Sequence, residues 1–170
     1  MGLFSNTAAL NSFDDLMVEQ LEDLYDAEQR LVKALPKMAA AAHNASLKAA
    51  FQDHLRQTEG HVNRLEQVFR ALGYKPKSKT CVAMKGLVEE GEEAIAASGD
   101  PNVKDAALIA AAQRVEHYEI AGYGTVRTYA QQLGDSDAAQ LLQQTLDEEG
   151  ETDKKLSALA ERAVNLKAAA

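Results

Sequence analysis

Apolar residues recur at helical spacing through almost the whole chain. Leu21, Leu24, Leu31, Val32 and Leu35 mark one face of a first helix that starts after Asn11-Ser12 and runs to about His43-Asn44, because residues three and four apart share a helix face. Asp14 and Asp15 occupy its first turn, where the helix dipole favours acids. Pro36 falls inside it, and the alanines that follow are good helix formers, so a kink rather than an end is expected. A second helix, from about Ala45 to Leu72, carries Leu47, Phe51, Leu55, Val62, Leu65, Val68, Phe69 and Leu72 on its apolar face. Gly73 and Pro76 stop it, and the basic, polar stretch 74–80 reads as a loop. A short third helix covers about Cys81 to Ala97 and ends at Ser98-Gly99-Asp100-Pro101. The fourth runs from about Asn102 to Leu133 and stops at Gly134-Asp135. The fifth takes Ser136 or Asp137 as its cap and continues to about Leu166. Nothing alternates with period two over a useful length, so no strand is expected.

Four helices of about thirty residues, each roughly 40–45 Å long at 1.5 Å per residue, predict an all-α, antiparallel four-helix bundle of two helical hairpins. The short helix, 81–97, lies in the crossover between them. One domain is expected over 12–167, with 1–11 an N-terminal segment.

Composition narrows the picture. The chain of 170 residues is 46% apolar but only 5% aromatic and has no Trp, which suits thin helix–helix layers. Its net charge of −8 argues against nucleic acid as a partner, since phosphate binding needs a basic face. A single cysteine, Cys81, excludes an internal disulfide framework and fits a reducing compartment. The start, Met1 to Asn6, has neither the basic nor the apolar region of a secretory signal, and Asn6 stands where myristoylation wants Ser or Thr. No apolar run approaches membrane-spanning length. A cytoplasmic protein with no membrane partner is expected.

The chemistry sits where the apolar stripes are interrupted. Glu28, His61, Glu119 and Glu149 each fall within the inward face of a long helix, and charges are almost never buried unless paired or bound to metal. The two hairpins also repeat each other. From Glu28 to Thr58 is 30 residues, as from Glu119 to Glu149, and from Glu28 to His61 is 33, as from Glu119 to Thr152. Di-iron carboxylate bundles take one Glu from each of two helices and Glu-x-x-His from each of the other two. Here Thr58-Glu59-Gly60-His61 keeps the His, and Glu149-Gly150-Glu151-Thr152 keeps the Glu. Glu59 lies on a polar face with Arg56, Asn63 and Glu66. Candidates to complete the set are His54, Gln57, Asp153 and Glu116. Glu116-x-x-Glu119 places two carboxylates on adjacent turns.

Such a donor set suits one or two ions of iron or manganese better than structural zinc, which favours thiolates. Gly122 and Gly124 imply close packing or a local bulge beside the site. A single inward Glu is more often paired with Arg or Lys than metal-bound. Four such residues at matched offsets favour a metal site, with no catalytic residue separable from its ligands. His54 is expected to act structurally or behind a ligand, and His43 and His117 at the surface or a helix end. Tyr25 and Tyr118 read as core aromatics, with a bond from Tyr25 to a ligand carboxylate as the alternative. Cys81 reads as a packed helix-start residue, and Glu89-Glu90-Gly91-Glu92-Glu93 as a solvated face.

Several blocks in order resemble the YciE/YciF family of ferritin-like proteins over nearly the whole chain. They are Leu24-Tyr25-Asp26-Ala27-Glu28, His54 through Phe69, Cys81-Val82-Ala83-Met84-Lys85-Gly86-Leu87, Glu116-His117-Tyr118-Glu119-Ile120-Ala121, and Leu146 through Leu156. The resemblance implies a ferritin-like bundle, an association with bacterial stress, a di-metal centre and a homodimer. The family it resembles often has Glu at the position of Gln57, so the resemblance also allows an incomplete or single-metal site. An active centre would oxidise ferrous iron or reduce peroxide or dioxygen. The rival is a non-catalytic stress or assembly protein with a degenerate, metal-free core, acting through a dimerising helical surface. DNA-protecting relatives of ferritin use a basic tail, which is not found here.

Overall fold

The computed structural model describes residues 9–170, so the reading of residues 1–6 as lacking a targeting signal lies outside the described residues. The described chain is helical, without strands: α1 (Phe13–Ala41), α2 (Ala45–Ala71), α3 (Val82–Ala96), α4 (Pro101–Leu133) and α5 (Ser136–Leu159). A π-helical turn, Ala160–Val164, and a last turn, α6 (Asn165–Ala168), extend α5. No helix among the described residues is long and apolar enough to cross a membrane.

Local chemistry sets these limits. Ser12 and Asp15 form a capping box, each side chain accepting the other's backbone N–H at 3.0 Å. Asn44 caps α2, the Cys81 thiol accepts from Met84 N–H to start α3, and Asp100 caps α4 ahead of Pro101. Gly73 and Gly134, at φ +80° and +85°, close α2 and α4 in the left-handed region. Pro36 lies inside α1 without ending it.

Two expectations change. Neither Ser136 nor Asp137 caps α5: Asp135 stands before the first turn and its side chain makes no capping bond. The chain turns tightly there through backbone bonds from Asp135 to Ala130 and from Ser136 to Gly134. The end of α5 is also not continuous α-helix, since the π-turn at 160–164 adds a residue to one turn. By contrast, α4 stays α-helical past Gly122 and Gly124, so no bulge lies there. Gly122 answers to packing instead: a Cβ at that position would lie 2.7 Å from Leu24 Cδ2, so glycine permits the approach of α1 and α4.

The helices pack α1 on α2, α4 on α5, α2 on α5 and α1 on α4, and α3 covers α1 and α4. The buried apolar side chains separate into two groups. One includes Leu31, Leu35, Leu47, Phe51, Met84, Leu108, Val115 and Leu156. The other includes Leu21, Leu24, Leu65, Phe69, Tyr123, Val126 and Leu142. Along every long helix a polar interval separates the two.

The α1–α2 turn is tied down from α4. Buried Asp105 accepts the backbone N–H groups of His43 at 2.8 Å and Asn44 at 2.6 Å. Hydrogen bonds to a charged group are worth about 1.5–3 kcal/mol each. Asp105→Ala is therefore expected to destabilise the protein by about 3 kcal/mol, read as a lower urea midpoint at unchanged m-value. Asp105→Asn, which keeps one acceptor, should lose roughly half as much.

Candidate metal centre

The polar interval holds the chemistry. Glu28 on α1 lies between Leu24 and Leu31, and His54, Thr58 and His61 on α2 lie between Phe51 and Leu65. On α4, Glu116 and Glu119 lie between Val115 and Tyr123. On α5, Glu149 and Thr152 lie between Leu142 and Leu156. All are buried, and Glu28, His61, Glu119 and Glu149 have no exposure at all. Spacings of three and four residues within each helix keep these side chains on one face, at one level between the apolar layers.

Two donor groups result. Donor atoms of His54, Glu116, Glu119 and Glu149 lie within 4.8 Å of one another, as do those of Glu28, His61 and Glu149. Glu149 belongs to both. In the first group His54 Nε2 stands 3.2 Å from Glu116 Oε1 and 3.8 Å from Glu149 Oε2. In the second, His61 Nδ1 stands 3.3 Å from Glu28 Oε1 and 3.0 Å from Glu149 Oε1. A buried His/Glu cluster able to hold a metal ion is thus present.

These approaches attract by charge but are not aligned as hydrogen bonds. Nine buried side-chain nitrogen and oxygen atoms among the described residues lack a hydrogen-bond partner, and eight belong to these two groups. They are Glu28 Oε2, His54 Nε2, His61 Nδ1, Glu116 Oε2 and both oxygens of Glu119 and of Glu149. At about 1–3 kcal/mol per unsatisfied buried group, eight would rival the whole net stability of a domain, about 5–15 kcal/mol. A counter-charge at that level would relieve this cost.

Protonation relieves part of the cost when no cation is present. Burial is the main cause that pushes the Glu28, Glu116, Glu119 and Glu149 carboxyls up, with mutual repulsion adding to it, and Glu116 is pushed up to about 8. Burial acts to lower His61, but the Glu149 and Glu28 carboxylates outweigh it and raise the imidazole to about 10.

A second ring of contacts orients the donors. His61 Nε2 faces Glu148 Oε2 at 2.7 Å, and Arg64 grips that carboxylate at 3.0 and 3.1 Å while donating to Thr145 at 2.6 Å. Burial pushes Glu148 up, but Arg64 and His61 more than compensate and hold it below the usual glutamate range. An ionised Glu148 holds the proton on Nε2, so a cation that displaces the other proton would meet the Nδ1 lone pair facing inward. The fully buried Tyr123 hydroxyl donates to Glu28 Oε1 at 2.5 Å. His54 Nδ1 has Thr152 Oγ1 at 3.3 Å and Gln57 Oε1 at 3.4 Å, which can take its proton and turn Nε2 inward. Because outer partners of metal-bound histidines are worth about 10–100-fold in affinity, Glu148→Leu should weaken Mn(II) binding by about that factor. Isothermal titration against the native protein checks it.

The sequence candidates therefore fall out as follows. Glu28, His61, Glu116, Glu119 and Glu149 converge. His54, expected structurally or behind a ligand, faces the cluster itself, in the space that the small Thr152 leaves. Gln57 and Thr152 stand behind His54. The Thr58 hydroxyl donates to the His54 carbonyl of its own helix at 2.9 Å. Asp153 lies outside the two groups, accepting from Gln113 and approached by His117. Tyr25 donates to Glu66 at 2.9 Å instead of to a cluster carboxylate. Tyr118 donates to Asp23 and stands 3.1 Å from the buried Cys81 thiol, and His43 and His117 are exposed. Sequence reasoning missed Tyr123, Glu148 and Arg64. Tyr123 was within reach of it, being one helical turn after Glu119.

Comparison with known proteins agrees in extent with this arrangement. A family described as a domain of unknown function (DUF892) matches residues 12–169. Protein YciF of Escherichia coli strain K12 is 49% identical over 160 residues, covering 94% of this chain and 96% of YciF. The crystal structure of the E. coli stress protein YciF superposes with a TM-score of 0.88 at 49% identity, over 91% of this chain and 98% of that one. The YcfI protein of Rhodopseudomonas palustris matches with a TM-score of 0.85 at 42% identity, over 91% and 98% of the two chains. The chain belongs to the DUF892 family and is a homologue of YciF.

Proposed function

We propose that this protein is a ferritin-like four-helix bundle that binds two iron or manganese ions between its helices and uses them in a redox reaction. That reaction is the oxidation of ferrous iron or the reduction of peroxide or dioxygen. The observation that carries the reading is the convergence of eight buried, unpartnered donor atoms from four helices on one level. The donor chemistry fits: carboxylate oxygens with two imidazole nitrogens suit iron and manganese, and the one thiol, Cys81, is outside both groups.

A bound iron or manganese ion supplies one-electron steps that no side chain of the cluster provides. The chain supplies the setting. The Glu28, Glu116, Glu119 and Glu149 carboxylates provide negative charge that favours the more oxidised state. The apolar layers on either side exclude bulk water and strengthen every electrostatic contact between them. Glu148 and Arg64 hold His61 with its Nδ1 inward, and Tyr123 holds Glu28. The acidic protein, at net charge −8, draws in cations. The description of E. coli YciF as a stress protein supports a role in a stress response.

Elemental analysis tests the reading. Protein reconstituted anaerobically with Fe(II) and desalted is expected to retain up to two ions per chain, and a Glu28→Ala/Glu119→Ala double variant far fewer. Equal retention by the two proteins, or none by either, would show that the cluster is not a metal site.

A further inference from the structure

The two donor groups are unequal, and from this we infer that they fill in order. The first ion enters the His54–Glu116–Glu119–Glu149 group, and the second, weaker ion enters the Glu28–His61 group beside it. The inference deepens the metal reading above and rests on it.

Three observations give the order. The first group offers four side chains, three of them carboxylates, whereas the second offers three, two of them carboxylates, and shares Glu149 with the first. A divalent ion is held more strongly where more negative oxygen donors surround it. Five of the eight unpartnered atoms lie on the side of the first group, where Glu149 Oε2 faces His54, and three on the side of the second, where Glu149 Oε1 faces His61. Both Glu119 oxygens lack any protein partner, while Glu28 Oε1 is already engaged by the Tyr123 hydroxyl. An ion in the first group therefore removes most of the uncompensated polarity.

The second group would offer a second ion one carboxylate already shared with the first, and the two charges would repel. With three side chains against four, the Glu28–His61 group is thus the weaker and more readily exchanged position.

Titration calorimetry with Mn(II) on the protein at fixed pH tests the order. The native protein should show two steps whose Kd values differ by about tenfold or more. His61→Ala should lose the weaker step and keep one ion, whereas His54→Ala should weaken the tighter step by about tenfold or more. Far-UV circular dichroism is recorded for each variant, and His61→Gln and His54→Gln, closer in volume, repeat the comparison where an alanine variant loses helix. A single step with two equivalent ions overturns the order while leaving the metal centre standing. So does an equal loss of the tighter step in the His61 and His54 variants. No Mn(II) binding by the native protein overturns the metal reading and the order together.

Discussion

Glu149→Gln is expected to weaken divalent-metal binding by about 100-fold or more and yet to leave the metal-free protein about as stable as the native one. Both halves follow from the position of one side chain. Glu149 is common to the two donor groups, so its loss removes a carboxylate from each ion at once. A change behind a histidine costs about 10–100-fold, and a change to a shared donor should cost no less. Stability does not fall with it because neither Glu149 oxygen has a hydrogen-bond partner and the side chain is fully buried. Burial pushes that carboxyl up against the pull of His61, so the folded protein bears a cost for ionising it that a neutral amide of the same shape avoids. His61 keeps the Glu28 carboxylate at 3.3 Å as its counter-charge, so the substitution does not strand a buried imidazolium. Thermal unfolding of metal-free protein at pH 8, beside Mn(II) calorimetry, reads both quantities. A variant several kcal/mol less stable that bound metal normally would mean that Glu149 is a structural residue.

Raising the pH should destabilise the metal-free protein and stabilise the metal-loaded one. The Glu116 carboxyl is raised from 4.5 to about 8 by burial and neighbouring acids, so between these values the folded state holds a proton that the unfolded chain has released. Stability falls with pH wherever the native state binds more protons. His61 acts in the same direction: raised from 6.5 to about 10, its contribution is fully present below 6.5 and lost as the pH climbs through 10. Glu28, Glu119 and Glu149 are also raised. The melting temperature of metal-free protein should therefore drop by several degrees or more between pH 6 and pH 9, since about 1 kcal/mol moves a domain of this size by roughly 2–4 °C. Saturating Mn(II) reverses the slope, because ions must displace those same protons and bind more tightly as pH rises. A metal-free melting temperature that rose across this range would mean that the buried carboxyls are ionised and paired in some other way.

The helices were legible because their apolar stripes and end signals agree: Ser12, Gly73 and Gly134 act where the pattern places them, and Asn44 and Asp100 in the breaks cap the helices that follow. The π-turn at 160–164 left no mark in the apolar period. Within the site, Glu28, His61, Glu119 and Glu149 could be grouped because the 30- and 33-residue offsets encode a common level in two hairpins. His54 could not be ranked from its own helix. Its inward reach depends on Thr152, a small side chain facing it from α5, and that is a tertiary fact. Glu148 sits in the acidic run Asp147-Glu148-Glu149 and reads as a solvated residue. Only the approach of α2 brings His61 and Arg64 to it. Thr58 and Thr152, where a symmetric site would carry Glu and His, are answered by Glu116 and His54 from other helices, so the symmetry is broken and the donors are retained.

The most direct measurement is anomalous diffraction at the metal absorption edge from crystals of the Mn(II)- or Fe(II)-reconstituted protein. Two peaks are predicted, one among His54, Glu116, Glu119 and Glu149 and one among Glu28, His61 and Glu149, with the Glu149 carboxylate between them. A well-ordered map showing these side chains closed on one another or on water, with no anomalous density among them, would contradict the account.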